Sequence, residues 1–287
     1  MTDTRYTPIN NSDNTQIKLY YSTKKPSKKK LSEHHHTELE ISLFKHGSGT
    51  YSVSGRSYDV CEGDVFLFAT NEIHCITEIN SDMLLMNIKF EPRFIWSIEN
   101  NLFNATYLKI FFEHGKKFQN RLDRSNPSTQ QIKKLMLEIE DEFIKKDAEY
   151  ELVIKLKLLN IFVLLTRGYE YTDNTDYNIN EKSLLSVDRA ITYINENLSN
   201  PLSLDDISHI AGMSRTYFST IFKKLNGITL WDYITIKRVE KSVELLKSSN
   251  SNILDIALEC GFNNTANFNK AFKKMTGRIP SDYTRKA

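Results

Sequence analysis

The sequence predicts an α+β protein with an N-terminal β-barrel or sandwich, a helical middle, and a C-terminal all-α domain carrying two helix-turn-helix motifs. Three observations predict it. Between 31 and 96, short alternating runs are punctuated by glycine turns, as in a small barrel or two-layered sheet. From 99 to 171 the apolar period becomes helical. The last hundred residues contain an internal repeat. A chain of 287 residues has room for two cores, and 40% hydrophobic with 26% charged residues excludes a disordered chain.

Residues 1–30 read as an irregular arm. Its run Lys24-Lys25-Pro26-Ser27-Lys28-Lys29-Lys30 is a charge cluster broken by proline, read as a solvated loop, with an extra DNA-contacting arm as the sharper alternative. A β domain is expected over 31–98. Leu39, Ile41 and Leu43 alternate with Glu40 and Ser42, Gly47-Ser48-Gly49 turns, and Tyr51 and Val53 alternate again. Ser54-Gly55-Arg56 and Glu62-Gly63-Asp64 are further turns, before the apolar run Val65-Phe66-Leu67-Phe68 and a last strand near 84–90.

The region 99–171 is expected to hold two long amphipathic helices, near 128–146 and 148–168, forming a helical linker and dimerisation segment. The second is apolar nearly all round near 158–165, which suits burial within the domain or against a second subunit. The polar, apolar-poor stretch 172–182 reads as an interdomain linker, leaving 183–287 as the C-terminal domain.

Mean hydropathy is −0.45, no run approaches the roughly 18 apolar residues of a membrane helix, and the N-terminus lacks the apolar core of a secretory signal. Cys61, Cys75 and Cys260 are an odd number without paired spacing, which argues for a reducing compartment, the cytoplasm, and against a disulfide scaffold. Net charge is +2, but residues 183–287 hold 14 Lys/Arg and 10 Asp/Glu while the remainder holds 24 and 26. The positive excess therefore sits in the C-terminal third.

The repeat carries the function. Asp206-Ile207, Ala211-Gly212-Met213-Ser214, Tyr217-Phe218, Phe222-Lys223-Lys224 and Gly227 recur as Asp255-Ile256, Cys260-Gly261-Phe262-Asn263, Asn267-Phe268, Phe272-Lys273-Lys274 and Gly277. The offset is 49 before the turn and 50 after it. Each copy reads as helix, tight turn, helix. Gly212 and Gly261 stand where φ > 0 is favoured, Ser214 and Asn263 or Asn264 can cap the second helix, and Gly227 and Gly277 end it. Phe218, Ile221, Phe222 and Leu225 mark the packed side of the first reading helix; Phe268, Ala271, Phe272 and Met275 mark that of the second. The opposite faces are Arg215, Thr216, Ser219, Thr220 and Lys223, then Thr265, Ala266, Asn269, Lys270 and Lys273, small or polar and free of acids. With Lys224 and Lys274 they form the expected DNA-binding set, since such faces reach base edges and phosphates without repulsion. A continuous helix over 229–247, with Trp231, Ile234, Val239, Val243 and Leu246 as its apolar face, is expected to space the two readers.

Residues 203–283 resemble the paired helix-turn-helix domain of AraC/XylS-type transcription regulators. The carrying stretch is Lys237-Arg238-Val239-Glu240, Ala257-Leu258-Glu259-Cys260-Gly261-Phe262, Phe268, Phe272-Lys273-Lys274 and Gly277-Arg278-Ile279-Pro280-Ser281-Asp282-Tyr283. The resemblance implies base contacts near Thr216, Ser219 and Thr220 in the first reading helix and near Ala266, Asn269 and Lys270 in the second. Thr and Ser are weak readers, so shape and water count for more there.

The strand region resembles a cupin domain, the usual sensor of that family, through His34-His35-His36, Glu40 and Gly47, then Gly63 and His74. Ala69 and Asn71 depart from the cupin pattern, which has proline and glycine there. The resemblance implies a small organic effector; because sugar pockets combine aromatic faces with polar and charged partners, a sugar or related metabolite is expected, with His34, His36, Glu40, Tyr51, Tyr58, His74 and Trp96 as candidate contacts. His34, His36 and Glu40 share a parity and can face one interior; equally, if Leu39, Ile41 and Leu43 face the main core, Glu40 points to solvent. The reading that follows is a DNA-binding regulator, homodimeric, on promoter DNA, engaging RNA polymerase if an activator, with no cofactor, no metal, no membrane partner and no enzymatic activity. The alternative is a metal-dependent cupin enzyme or metal sensor fused to a DNA-binding domain, built on His34, His36, Glu40 and His74.

Overall fold

The computed structural model describes residues 6–7, 17–31, 33–96, 109–112, 118–169, 179, 181–248 and 251–284. The chain divides into two compact units, one of Met1–Leu31, Glu38–Trp96 and Phe103–Asn178, the other of Ser32–Thr37, Ser97–Leu102 and Ile179–Ala287.

In the first unit, β1 (Tyr6–Thr7), β2 (Ile17–Lys24), β8 (Met83–Phe90), β3 (Leu39–His46) and β6 (Val65–Phe68) make one sheet in that spatial order. The second sheet is β5 (Arg56–Val60), β4 (Gly49–Val53) and β7 (His74–Ile79). Residues 17–24, expected in an irregular arm, form a full antiparallel partner of β8, from Ile17 opposite Phe90 to Lys24 opposite Met83. The lysine run beyond it is tied to β7, with a Ser27–Ile79 bridge and the Leu31 N–H donating to Ile76 O. It therefore covers a sheet edge with exposed charge, which opposes edge-to-edge pairing.

Both faces of β3 are buried, so the choice between its two parities is resolved by burying both. Phe44 joins Tyr51, Val53, Val60, Phe66, Phe68, Ile76, Ile79, Met83 and Leu85 in the core between the sheets. Glu40 and Ser42 share the parity of Phe44 and are 2% and 0% exposed, so Glu40 does not point to solvent. Leu39, Ile41 and Leu43 lie on the other face, where helices cover the sheet.

Those helices are α1 (Pro92–Trp96), α2 (Lys109–Phe112), α3 (Pro127–Lys145) and α4 (Tyr150–Gly168). Phe90, Phe111 and Phe162 meet edge to face at 5.8–6.1 Å between ring centroids and join sheet to helices. Asn126 caps α3 by accepting from the Ser128 N–H at 2.9 Å, with Pro127 in the first turn. Leu158, Ile161, Phe162 and Leu165 are all buried. The apolar run of α4 is thus largely consumed inside its own unit. The exposed apolar residues of the hairpin are instead Leu137, Ile144, Leu152 and Leu156.

The second unit contains α5 (Glu181–Glu196), α6 (Leu204–Ile210), α7 (Arg215–Asn226), α8 (Leu230–Ser248), α9 (Ile253–Glu259) and α10 (Thr265–Thr276). The spacer helix α8 is continuous. Its buried side is Leu230, Tyr233, Ile234, Ile236, Val239, Ser242 and Leu246. Trp231, expected on that side, is exposed, because the helical phase that buries Leu230 and Ile234 turns it outward. Arg238 donates from Nε to Leu198 O at 2.9 Å and from a terminal nitrogen to Asn200 O at 3.0 Å, pinning α8 to the end of α5.

Candidate functional site

Each helix-turn-helix is built from local chemistry. Ser203 and Asn252 cap the supporting helices α6 and α9 by accepting from the Asp206 and Asp255 N–H. Gly212 and Gly261 turn the chain at φ +63° and +84°, a region that disfavours a side chain. Ser214 then caps α7 through the Tyr217 N–H, and Asn264 caps α10 through the Asn267 N–H at 2.8 Å. Gly227 and Gly277 end the two helices with φ +75° and +70°, their N–H groups returning to Lys223 O and Lys273 O.

Phe218, Ile221, Phe222 and Leu225 are buried in α7; Phe268, Phe272 and Met275 are buried in α10, with Ala271 half-buried. Arg215, Thr216, Thr220 and Lys223 are exposed on α7, with Ser219 and Lys224 half-buried. Ala266, Asn269, Lys270, Lys273 and Lys274 are exposed on α10, with Thr265 half-buried. The first turns of α7 and α10 hold no acidic residue, whereas those of α6 and α9 hold Asp205, Asp206 and Asp255. Of these four helices, the two reading helices are the ones whose positively charged end is left open to an anion. Arg215 is held by Asp205 at 3.2 Å on the surface, a pair of little intrinsic strength that DNA phosphate can displace. The paired lysines lie in the last turns, where they suit the negative helix end and can reach phosphates rather than base edges.

In the first unit the space between the sheets changes character along its length. One end is the aromatic core; at the other, three strands present a polar row. Tyr20 donates to Glu40 Oε2 at 3.3 Å, Lys89 Nζ lies 3.3 Å from the same oxygen, and Ser42 Oγ is 2.6 Å from Glu40 Oε1 and 2.7 Å from Asn87 Oδ1. Register explains the grouping: Glu40 stands opposite Lys89, Ser42 opposite Asn87, and Tyr20 opposite Asn87 on the other side. Lys18 and Glu38 extend the row at 3.5 Å, and the Lys18 side chain is 42% exposed, so the row opens to solvent there. His74 stacks on Phe68 at 4.3 Å and on Tyr51 at 6.3 Å. Its Nδ1 lies 2.8 Å from Glu72 O, and a carbonyl only accepts, so Nδ1 carries a proton. Burial, reinforced by the Glu40 carboxylate, pushes the Tyr51 phenol well above its ordinary value.

Of the expected effector contacts, Glu40, Tyr51 and His74 are brought together in this interior. Ligand atoms of Glu40 and His74 lie within 4.8 Å of each other. Tyr58 packs on Phe66 at the aromatic end, its hydroxyl donating to Asn120 Oδ1 at 3.3 Å. His34 and His36 belong to the short segment that clusters with the second unit. The Trp96 side chain lies outside the described residues. Lys18, Tyr20, Ser42, Asn87 and Lys89 were not anticipated. The alternation of Ile17 and Leu19 with Lys18 and Tyr20 carried the signal for β2, but nothing in it distinguishes a polar interior from solvent.

Residues 16–162 match the AraC-like ligand binding domain, and residues 207–286 match a helix-turn-helix domain. The HTH-type transcriptional activator RhaR of Escherichia coli (strain K12) is 25% identical over 258 residues, covering 88% of this chain and 86% of its own. RhaR of Shigella boydii serotype 4 is 26% identical over 253 residues, with the same coverage. Among solved structures, ToxT from Vibrio cholerae superposes with TM-score 0.59 at 14% identity, covering 93% of this chain and 97% of that one. Unsaturated fatty acid bound ToxT gives TM-score 0.51 at 15% identity, covering 95% and 96%. Among the described residues no helix is long and apolar enough to cross a membrane.

Proposed function

The chain belongs to the AraC family of ligand-responsive, DNA-binding transcription regulators, and on that premise we propose that it is a homodimeric activator of promoters in the cytoplasm. The observation that carries the DNA reading is the pair of exposed reading helices with acid-free first turns. Asn269 and Lys270 supply the hydrogen-bonding side chains of α10, Thr216, Ser219 and Thr220 those of α7, and the terminal lysines the phosphate contacts. RNA polymerase is the partner that an activator requires. The relatives' role supports regulation and not catalysis.

The effector is a small polar molecule held between the sheets of the first unit, a sugar being the expectation that its aromatic and polar side chains carry. An effector controls DNA binding only if it favours one arrangement of the protein over another. Dimerisation is assigned to the outer face of the α3–α4 hairpin, where Leu137, Ile144, Leu152 and Leu156 are 42–67% exposed and a second copy would cover them.

Binding of the purified chain to the DNA upstream of its own gene and its neighbours' genes, measured against salt, tests the reading. Affinity for one upstream segment should exceed that for unrelated DNA and fall steeply as salt rises. Equal affinity for all DNA would reject sequence-specific regulation. Mass in solution should be that of two chains and should revert to one in a Leu152→Glu/Leu156→Glu variant.

A further inference from the structure

Residues 24–30 carry five lysines in seven positions, although residues 1–182 as a whole hold 24 Lys/Arg against 26 Asp/Glu. From 21 to 37 the single acidic residue is Glu33. The loop that carries them is fixed at both ends by backbone bonds to β7. The Ser27 N–H donates to Ile79 O at 2.9 Å, the Ile79 N–H returns to Ser27 O at 2.8 Å, and the Leu31 N–H donates to Ile76 O at 2.9 Å. Leu31 packs on the core between the sheets, and Ser27 Oγ accepts from the Lys29 N–H at 3.0 Å. These bonds hold out a tip of three residues, Lys28-Lys29-Lys30, all exposed. Lys25 pairs with Asp82 and Lys24 is half-buried, but neither Lys28 nor Lys29 has an ion-pair partner among the described residues. Guarding a sheet edge accounts for some charge here. It does not call for adjacent like charges held in place, which repel one another until an anion meets them.

The chain that leaves this tip leads to the DNA-binding unit. Ser32–Thr37 groups with that unit. His35 Nε2 donates to Lys274 O at 3.0 Å, in the last turn of the reading helix α10, and Thr37 Oγ1 donates to Glu240 Oε1 at 3.1 Å on the spacer α8. Lys28 is seven residues from His35, so the chain itself keeps it within about 25 Å of that residue. The polyanion that α10 is read as engaging is therefore the partner nearest to hand, and it carries one charge per about 1.7 Å of its axis. Lysine suits phosphate as a compact point charge and carries no sequence information when it binds there.

We propose that Lys28, Lys29 and Lys30 form a third DNA contact, a clamp from the first unit on the phosphate backbone of the duplex that α7 and α10 read. This rests on the reading of the chain as a DNA-binding regulator and adds to it a contact outside the helix-turn-helix domain.

DNA binding by the full chain against salt tests it, on the bound upstream segment and on an unrelated duplex of equal length. Lys28→Ala/Lys29→Ala/Lys30→Ala should lower the slope of log affinity against log salt by about 2–3 per bound chain. It should weaken both duplexes by the same factor, leaving their ratio unchanged, while the arginine triple variant keeps the wild-type slope. Ethylation interference should lose two or three phosphates in the alanine variant and keep them in the arginine variant. Both variants should melt with the wild type, since the replaced side chains are exposed. A slope change below about 1, a lower slope with no phosphate lost, or a changed ratio between the two duplexes each overturns the proposal. Unchanged DNA slopes with lysine-dependent binding to phosphatidylglycerol vesicles would assign the run to a membrane surface and overturn it as well. The broader reading fails separately, if the wild type itself prefers no upstream segment over unrelated DNA.

Discussion

Gly261 turns the second helix-turn-helix at φ +84°, and a methyl group there would lie 2.3 Å from Leu198 O, 2.8 Å from Arg238 Nε and 2.9 Å from its Cζ. Gly212, its counterpart in the first copy, turns at φ +63° with nothing within 4 Å of the same position. Gly212→Ala should therefore cost only the left-handed backbone strain of alanine, about 1–2 kcal/mol. Gly261→Ala carries that strain as well. It must also push apart a backbone carbonyl and a guanidinium that are bonded to each other at 2.9 Å. Displacing packed groups costs about 1–3 kcal/mol, and loosening a charge-assisted hydrogen bond about 1.5–3 kcal/mol. The expected loss is about 3.5–8 kcal/mol, which would take most of the stability of a domain this size. Thermal unfolding of the two variants, followed by far-UV circular dichroism, measures the difference. The gap between them, at least about 2.5 kcal/mol, corresponds to roughly 10–20 °C in a domain of about 100 residues. Equal destabilisation of the two variants would refute the reasoning, since conformational strain alone would then account for both.

Two further outcomes follow from individual side chains. Burial raises the Glu72 carboxyl above its ordinary value against the bonds that it accepts from the Ala69 N–H and Asn120. The folded state then holds the proton more tightly than the unfolded chain, so this residue's contribution falls as pH rises through the folded value. Glu72→Gln should be more stable than wild type at neutral pH, with the advantage closing below the ordinary carboxyl range; urea titrations across that range would show a constant gap if the burial argument is wrong. Burial also pushes the Cys260 thiol up to about 11, so it stays protonated and inert at neutral pH. Native protein treated with a thiol-specific disulfide reagent should react at half-buried Cys61 and spare buried Cys75 and Cys260; rapid reaction at Cys260 would contradict its placement.

The helix-turn-helix units were legible because their signals are local. Gly212, Gly261, Gly227 and Gly277 each take a positive φ that glycine favours, and Ser214 and Asn264 each cap the helix that follows. Repetition then made chance agreement implausible. The two long helices and the spacer were legible for the same reason, within two residues at each end. Trp231 was misplaced because helical phase near a helix start depends on where the helix begins. The first unit was less legible because period-two alternation assumes one wet face. In β3 both faces are dry, one against helices and one against a second sheet, and the interior face is polar at one end. That environment made Glu40 ambiguous and hid Asn87 and Lys89 altogether. It also left β2 unrecognised, since Lys18, Tyr20 and Ser22 suit a solvated arm as well as a polar interior. The link between Tyr21, Lys45 and Glu140, with Lys45 Nζ 2.7 Å from the Glu140 carboxylate, joins residues up to 119 positions apart. No local pattern could have announced it.

DNase protection on the regulated promoter, with each reading helix disabled in turn, tests the two-helix claim most directly. Wild-type protein should protect two blocks about one helical turn apart. Asn269→Ala/Lys270→Ala should lose one block, and Thr216→Ala/Thr220→Ala should weaken the other. Both variants protecting both blocks at wild-type concentration would show that DNA is not read by α7 and α10.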